Sequence, residues 1–359
     1  MLPTYRQGRV TTLQRWIRWL EDRGGIAGRP MAAVWAAILA ARTGRPVEAE
    51  RWAVAADRWQ YESAAWSDDP AAGMWAAVLR ALLCRQGVQQ MRTDADEAAR
   101  LLATAGIVAP AVPFLQGLAQ VLSGDRDGGD ASFADAIGAG DRGAPDVLAA
   151  ALSERSLLAM ARGDWGRAED LAGRARAVLR EARIEDSHIT PLVCAAQARA
   201  AWHRGDSAAA RQQLAGAQRS RPLLTYALPH LAVQARIELA RVHLALTDVA
   251  AARMLMREVN EILNRRPDLG TLIGEAQELR AQLSARRGPS ASGASSLTAA
   301  ELCVLPLLAT HLSFPEIGAA LFLSPNTVKS QAMSLYRKLG ANSRSQAVAR
   351  SRELALLDG

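Results

Sequence analysis

A repeated pattern of two helix-forming segments joined by a turn constrains the fold of the first 285 residues more than any other feature. In each copy an alanine-rich apolar segment reaches a turn residue, and the next segment carries an alanine five positions after it. These two positions recur at Gly44 and Ala49, Gly163 and Ala168, Gly205 and Ala210, and Thr247 and Ala252. The last two intervals between turn residues are both 42 residues, and weaker matches at Gly87 and Gly124 extend the series backward.

A period near 40 residues is typical of a solenoid of helical hairpins. A small alanine near each turn lets two antiparallel helices approach closely, and stacking the hairpins buries a continuous core beside a superhelical groove. The composition agrees, because half of the residues are hydrophobic but only 5% are aromatic. The alternative is a non-repetitive helical domain whose alanine content imitates a period. We therefore predict an all-α chain in which residues 1–284 form a helical-hairpin solenoid.

Two shorter segments in this part of the chain allow other interpretations. The Asp-rich stretch 124–130 has the alternating carboxylates of a calcium loop, but Ala136 stands where a bidentate Glu is required. We expect a solvated turn between helices there. Tryptophans are frequent before residue 80, and we expect most of them to pack between helices, with an effector groove as the alternative.

The chain changes character after residue 284. Residues 285–296 are rich in Gly, Ser and Ala, which predicts a flexible linker. Residues 297–359 then show four helix starts. Three are capping boxes, and the third helix begins with a serine cap followed by proline. These starts are Thr298 with Glu301, Ser313 with Glu316, Ser324 with Pro325, and Ser343 with Gln346.

Apolar spacing predicts how these helices pack. Val328, Leu335 and Leu339 follow a helical period in the third helix, with polar residues on the other side. The expected partners in the first two helices are Leu302, Val304, Leu305, Leu308, Ile317, Leu321 and Phe322. A small helical core with one long polar-faced helix is the arrangement of a helix-turn-helix unit, in which the third helix enters the major groove.

The residues 297–359 resemble the LuxR-type (GerE-type) helix-turn-helix domain. The similarity is carried by Leu297-Thr298-x-x-Glu301, Leu312-Ser313-x-x-Glu316-Ile317, Ser324-x-x-Thr327-Val328-Lys329, Tyr336-Arg337-Lys338-Leu339-Gly340 and Ser343-Arg344-x-x-Ala347. Two departures are notable. Pro306 falls inside the first helix and should bend it, and His311 stands where the family has a glycine in a left-handed turn.

The resemblance implies DNA-contacting residues on the third helix. Lys329, Ser330 and Met333 would face bases, the last through apolar contact with a thymine methyl group. Asn326, Thr327 and Lys338 would contact phosphates, and Arg337 lies on the same polar side. Lys329 and Lys338 are also the only two lysines among 43 Lys and Arg residues.

The fourth helix would mediate pairing of two copies on a two-fold symmetric DNA site. Its expected dimerisation residues are Ala347, Val348, Ser351 and Leu354.

The hairpin region is similar to the tetratricopeptide-like sensor region of MalT-type, large ATP-binding LuxR regulators, which implies a sensor or interaction role for residues 1–284. The start Arg6-Gln7-Gly8-Arg9-Val10, followed by Leu13-Gln14-Arg15-Trp16 and Trp19-Leu20, carries this looser resemblance. It implies that the chain is either the C-terminal half of such a regulator or a natural short form. No Gly-Lys-Ser/Thr phosphate loop occurs, because neither lysine follows a glycine, so we expect no ATPase part.

Other function classes find little support in the sequence. The five histidines form no metal-binding pair and the three cysteines have no ligand spacing, so we expect no metal, no cofactor and no enzymatic activity. No apolar run has the length of a membrane span, and we expect a bacterial cytoplasmic protein. The predicted function is a sequence-specific DNA-binding transcriptional regulator, with double-stranded DNA, a second copy and an unknown small-molecule or protein effector as partners. The alternative is a solenoid scaffold whose degenerate helix-turn-helix no longer binds DNA.

Overall fold

A computed structural model of the chain describes residues 10–22, 30–62, 70–140, 143–285, 297, 299–321, 323–353 and 356–357. All regular structure in this part of the chain is helical, which confirms the predicted all-α class. The chain divides into two compact units, Met1–Leu283 and Ser284–Gly359. Except for Ala285, the predicted linker 285–296 lies outside the described residues, as do the first four residues of the MalT-like start, 6–9.

The first unit consists of helices that pair in chain order. They are α1 (Val10–Asp22), α2 (Pro30–Arg42), α3 (Pro46–Glu62), α4 (Pro70–Leu83), α5 (Val88–Ala105), α6 (Ala111–Leu122), α7 (Arg126–Gly140), α8 (Pro145–Ala161), α9 (Trp165–Glu181), α10 (Thr190–His203), α11 (Ser207–Ser220), α12 (Pro229–Ala245), α13 (Val249–Arg265) and α14 (Thr271–Ala285). Each even-numbered helix from α2 to α12 packs against its successor, so the predicted hairpin solenoid is confirmed.

The turn of each hairpin contains a residue with positive φ at the position that the repeat predicts. These residues are Gly44, Gly87, Gly124, Gly163, Gly205 and Thr247. Thr247 has a φ of 64°, although its branched Cβ disfavours the left-handed region. In the last three hairpins an aspartate follows the turn residue and caps the next helix. The carboxylates of Asp164, Asp206 and Asp248 accept hydrogen bonds from backbone N–H groups three residues on, at 3.1, 2.9 and 3.1 Å.

The alanines of the repeat lie where the paired helices approach most closely. Ala49, Ala168, Ala210 and Ala252 are all completely buried. In the α6–α7 hairpin Gly129 occupies this position. There a Cβ would clash with the Val121 side chain and lie 3.1 Å from the Gly117 carbonyl oxygen. In these five hairpins no side chain larger than a methyl group stands at this position, whereas the α4–α5 hairpin carries the exposed Arg92 there.

The solenoid turns back on itself, so hairpins that are distant in sequence touch. Arg42 forms an ion pair of 2.6 Å with Asp146, across 104 positions. Glu50 pairs with Arg266, and Thr271 donates to the Val121 carbonyl at 3.3 Å. The expected superhelical groove is consequently narrowed to a cavity of about 760 Å³ within the unit.

The Asp-rich stretch differs from the predicted turn. Only Asp125 precedes α7, where its carboxylate accepts from the Gly128 N–H at 2.9 Å, and the rest is helical. Asp130 is largely buried and accepts from Arg155 Nε at 2.7 Å. Burial acts to raise the pKa of Asp130, but this hydrogen bond and the nearby arginine charges hold it below its usual value.

The second unit contains four short helices, as predicted. They are α15 (Ala299–Leu308), α16 (Phe314–Leu321), α17 (Pro325–Leu339) and α18 (Arg344–Glu353). Within the described residues of the two units, no helix combines the length and the hydropathy needed to cross a membrane.

Candidate nucleic-acid interface

The second unit is built on a small apolar core that holds α17 on one side. Val304, Leu305 and Leu308 of α15 meet Ile317 of α16 and the buried face of α17. The remaining buried members of this core are Val328, Ala332, Leu335, Tyr336, Leu339, Ala341 and Ala347. One predicted core residue is wrong, because Leu302 is 45% exposed. Phe322 lies outside the described residues.

Local sequence fixes both ends of α17. Ser324 has an extended backbone, and its hydroxyl accepts from the Thr327 N–H at 3.1 Å, with Pro325 at the first helical position. At the other end Gly340 adopts a φ of 64° and terminates the helix. The preceding turn is closed by a hydrogen bond from the Leu323 N–H to the Gly318 carbonyl at 2.8 Å. These contacts confirm the predicted cap.

One side of α17 is exposed along its length. Asn326, Lys329, Ser330, Met333 and Arg337 recur at helical spacing on this side, and Thr327 is exposed beside them. Met333 is 57% exposed and adds an apolar side chain to this surface. Helix α17 contains no acidic residue. Six of the seven predicted DNA-contacting residues therefore form one accessible surface without a competing carboxylate from their own helix.

Lys338, the seventh residue, lies in a different environment. Its Nζ is 2.7 Å from Oε2 of Glu301, and the two side chains are only 17% and 5% exposed. This pair joins the last turn of α17 to α15. A phosphate contact by Lys338 stays a prediction, and a phosphate would have to compete with a buried carboxylate for the same ammonium group.

The capping boxes of the other helices are formed to different degrees. Glu316 accepts from both the N–H and the hydroxyl of Ser313 at 2.7 and 2.6 Å, and these hydrogen bonds lower the pKa of Glu316. The Gln346 side chain accepts from the Asn342 N–H at 2.9 Å, whereas the capping box predicts the Ser343 N–H as the donor. Thr298 lies outside the described residues.

Arg344 has a structural role that the sequence patterns did not indicate. Its guanidinium donates to the backbone carbonyls of Leu307, Leu308, Thr310 and Leu312 at 3.2, 2.8, 2.8 and 2.7 Å. Leu307 and Leu308 end α15, where helical carbonyls lack partners within the helix, and Thr310 and Leu312 lie in the turn that follows. Arg344 thus forms a hydrogen-bonded link between α18 and the end of α15.

The two departures from the family pattern leave the unit intact. Helix α15 continues through Pro306 to Leu308. The left-handed turn expected at His311 is wrong, because the described non-glycine residues with positive φ are Cys84, Arg183 and Thr247. The Thr310 hydroxyl closes this turn instead by accepting from the Leu312 N–H at 3.3 Å.

The predicted dimerisation residues need correction. Ala347 and Ser351 are both completely buried inside their own unit, and the Ser351 hydroxyl donates to the Ala347 carbonyl at 2.7 Å. They are therefore unavailable to a second copy. Val348 packs partly against the same core, and Leu354 lies outside the described residues.

Comparisons with known proteins agree with this geometry. Residues 295–351 match the family model described as bacterial regulatory proteins, luxR family. The chain is 34% identical over 158 residues to the probable transcriptional regulatory protein NarL of Mycobacterium tuberculosis, an alignment that covers 40% of this chain and 68% of NarL. Two strains of that organism give the same values.

Solved structures show only weak similarity to the whole chain. BtubC from P. vanneervenii is 14% identical, with a TM-score of 0.36 over 82% of this chain and 98% of BtubC. A monomeric mutant of IFIT1 is 12% identical, with a TM-score of 0.40 over 98% of this chain and 79% of IFIT1. At these TM-scores neither similarity establishes a shared fold.

Proposed function

The chain belongs to the luxR family of bacterial regulatory proteins, and we propose that it is a sequence-specific transcriptional regulator that inserts α17 into the major groove of DNA. One observation carries this proposal. Asn326, Lys329, Ser330, Met333 and Arg337 form an exposed stripe on a helix whose other face is fixed in a core. Such a helix presents its side chains to base edges while the remainder of the unit supports it.

The stripe contains groups suited to both kinds of DNA contact. The Lys329 ammonium can donate to O6 and N7 of guanine, Ser330 can donate or accept, and Met333 offers an apolar surface to a thymine methyl group. Asn326 and Thr327 lie in the first turn of α17, where amide and hydroxyl groups near a helix N-terminus favour phosphate oxygens. Arg337 would reach the DNA backbone further along the helix.

We further propose that two copies bind a two-fold symmetric site through α18. Because Ala347 and Ser351 are buried, pairing would use the exposed side of this helix. That side carries Gln346, Ala349, Arg350 and Glu353. Residues 1–284 would act as the sensor, as in the MalT-like resemblance, with an effector controlling self-association, and residues 285–296 would join this part to the DNA-binding domain 297–359.

A DNA-selection experiment with a charge-matched control tests the proposal. Fragments of GC-rich genomic DNA that bind the full chain would be enriched, and their affinity measured by fluorescence anisotropy against random DNA. Lys329→Met should weaken specific binding roughly 10-fold or more, as expected for one base contact worth about 1–3 kcal/mol. Arg257→Met removes one exposed positive charge from the solenoid and should leave specific binding unchanged.

The same measurement decides between a regulator and a scaffold. If wild type and Lys329→Met bind selected and random DNA equally weakly, the regulator proposal is wrong and the scaffold alternative gains. If Arg257→Met weakens binding as much as Lys329→Met, the loss reflects overall charge. Assignment of α17 as the reading helix would then be refuted.

A further inference from the structure

The cavity inside the first unit has the size and the walls of a small-molecule site. Its volume of about 760 Å³ lies within the range of roughly 300–1,000 Å³ that ligand pockets occupy. Its walls come from α2, α4, α6, α8 and α12 and from the segments before α6, α8 and α10. The rings of Trp35 and Trp75 meet there with centroids 4.6 Å apart and an interplanar angle of 50°, beside Phe114. A wall of this kind favours an apolar, ring-bearing molecule.

Three buried polar side chains interrupt the apolar walls. Arg42 and Asp146 form the 2.6 Å ion pair that joins α2 to α8. His188, which precedes α10, also lines the cavity and is only 7% exposed. No hydrogen bond joins its ring to another described residue, and its nitrogens are not among the fully enclosed polar atoms that lack a partner, so the ring is open to the cavity. His188 is therefore a polar group that a ligand can satisfy.

The charges around the cavity restrict what it can hold. Among the described residues of its buried walls, the charged side chains of Arg42 and Asp146 pair with each other, while Arg183, Glu185 and Asp186 are exposed at the rim. A charged group deep in the cavity would therefore lose its hydration without gaining a counter-ion. Burial, and then the charge of Arg42, lower the pKa of His188 to about 3, so its ring is neutral at pH 7. A neutral imidazole provides one donor and one acceptor. The exposed side chains of Val108, Glu185 and Asp186 mark where the cavity meets solvent.

We infer that this cavity binds an uncharged, mainly apolar small molecule that carries a ring against the Trp35–Trp75 wall and a hydroxyl or carbonyl group bonded to His188. This inference rests on the proposed function in one respect, since binding of the molecule would regulate DNA recognition only if the chain is a DNA-binding regulator. The binding itself is independent of DNA. The ion pair between Arg42 and Asp146 places this site between hairpins that are distant in sequence, so an occupant would contact several hairpins of the solenoid at once.

Nile red, an uncharged planar dye with a carbonyl group, is a suitable probe for the full chain. We expect saturable binding of one dye with a blue-shifted emission, and weaker binding of the anionic dye anilinonaphthalene sulfonate. His188→Leu should weaken Nile red binding roughly 3- to 10-fold, the equivalent of one hydrogen bond. The matched control is His230→Leu. His230 is completely buried and both of its ring nitrogens also lack partners, but it does not line the cavity.

A second variant protects the test against misfolding. Val108 is exposed at the cavity rim, so Val108→Trp should block entry without disturbing the core, and should weaken Nile red binding at least as much as His188→Leu. Circular dichroism would confirm that each variant is folded. Absence of saturable binding by wild type, equal effects of the two histidine substitutions, or unchanged binding in Val108→Trp would each overturn the inference. Because the readout is dye fluorescence, such a failure is distinct from loss of DNA binding.

Discussion

Replacing Lys338 by methionine should destabilise the second unit, whereas the same change at Lys329 should not. The sequence groups these two lysines together, but only Lys338 is paired with a carboxylate that is 5% exposed. Removing one partner of a buried ion pair costs about 3–5 kcal/mol, because the other charge stays buried. Lys338 retains some solvent access and Glu301 makes further interactions, so we expect a loss of about 2–3 kcal/mol.

Amide hydrogen exchange of the full chain, read by mass spectrometry on peptides from α15 and α17, measures this loss locally. A change of about 2–3 kcal/mol corresponds to roughly 30- to 150-fold faster exchange in these helices. Lys329→Met, at an exposed position, should change exchange by less than about threefold. The double variant Glu301→Gln with Lys338→Met should recover most of the protection, since it leaves no buried charge. If Lys338→Met and Lys329→Met exchange alike, the ion pair does not stabilise the unit and the reasoning fails.

Two further predictions concern the solenoid. Thr247→Gly should stabilise it by about 1 kcal/mol, because glycine adopts the positive φ of 64° without strain. This gain should exceed the cost of the larger backbone entropy that glycine has in the unfolded chain. A melting temperature lower than that of wild type would contradict the prediction. Burial raises the pKa of Glu154 to about 8. The nearby charges of Glu238 and Glu275 act in the same direction, and the hydrogen bond from Gln234 acts against it. The folded protein thus retains a proton that the unfolded chain releases above its usual carboxyl pKa. The contribution of Glu154 to stability is therefore full at low pH and falls as pH rises from about 4.5 toward 8, by up to about 1.4 kcal/mol per pH unit. Glu154→Gln should flatten this slope in urea unfolding measured from pH 5 to 8, and an unchanged slope would show that Glu154 is not its source.

Much of the fold was predictable because its signals are local. A turn residue with positive φ and an aspartate cap act within one hairpin, so the repeat at Gly163, Gly205 and Thr247 gave the hairpin positions correctly. The exposed stripe of α17 was predictable for the same reason, since the helical period separates Lys329 from Val328 whatever surrounds them.

The incorrect expectations concern residues whose environment depends on distant parts of the chain. Helical spacing indicates that Ala347 and Ser351 share a face, but it does not say whether that face meets a second copy or the unit's own core. The same limit explains Leu302, which has the right spacing for the core and is nevertheless exposed. Residues 285–296, for which a linker is predicted, lie outside the described structure apart from Ala285.

Periodicity and helix capping act between residues a few positions apart, and they were enough to predict the all-α class, the hairpin repeat, the four helices of the second unit and the polar side of α17. No local pattern predicts that Lys338 pairs with Glu301, that Arg344 binds the end of α15, or that the solenoid encloses a cavity at His188. Those features depend on side chains that are about 30 to more than 100 positions apart, and their meeting is fixed by how the helices pack.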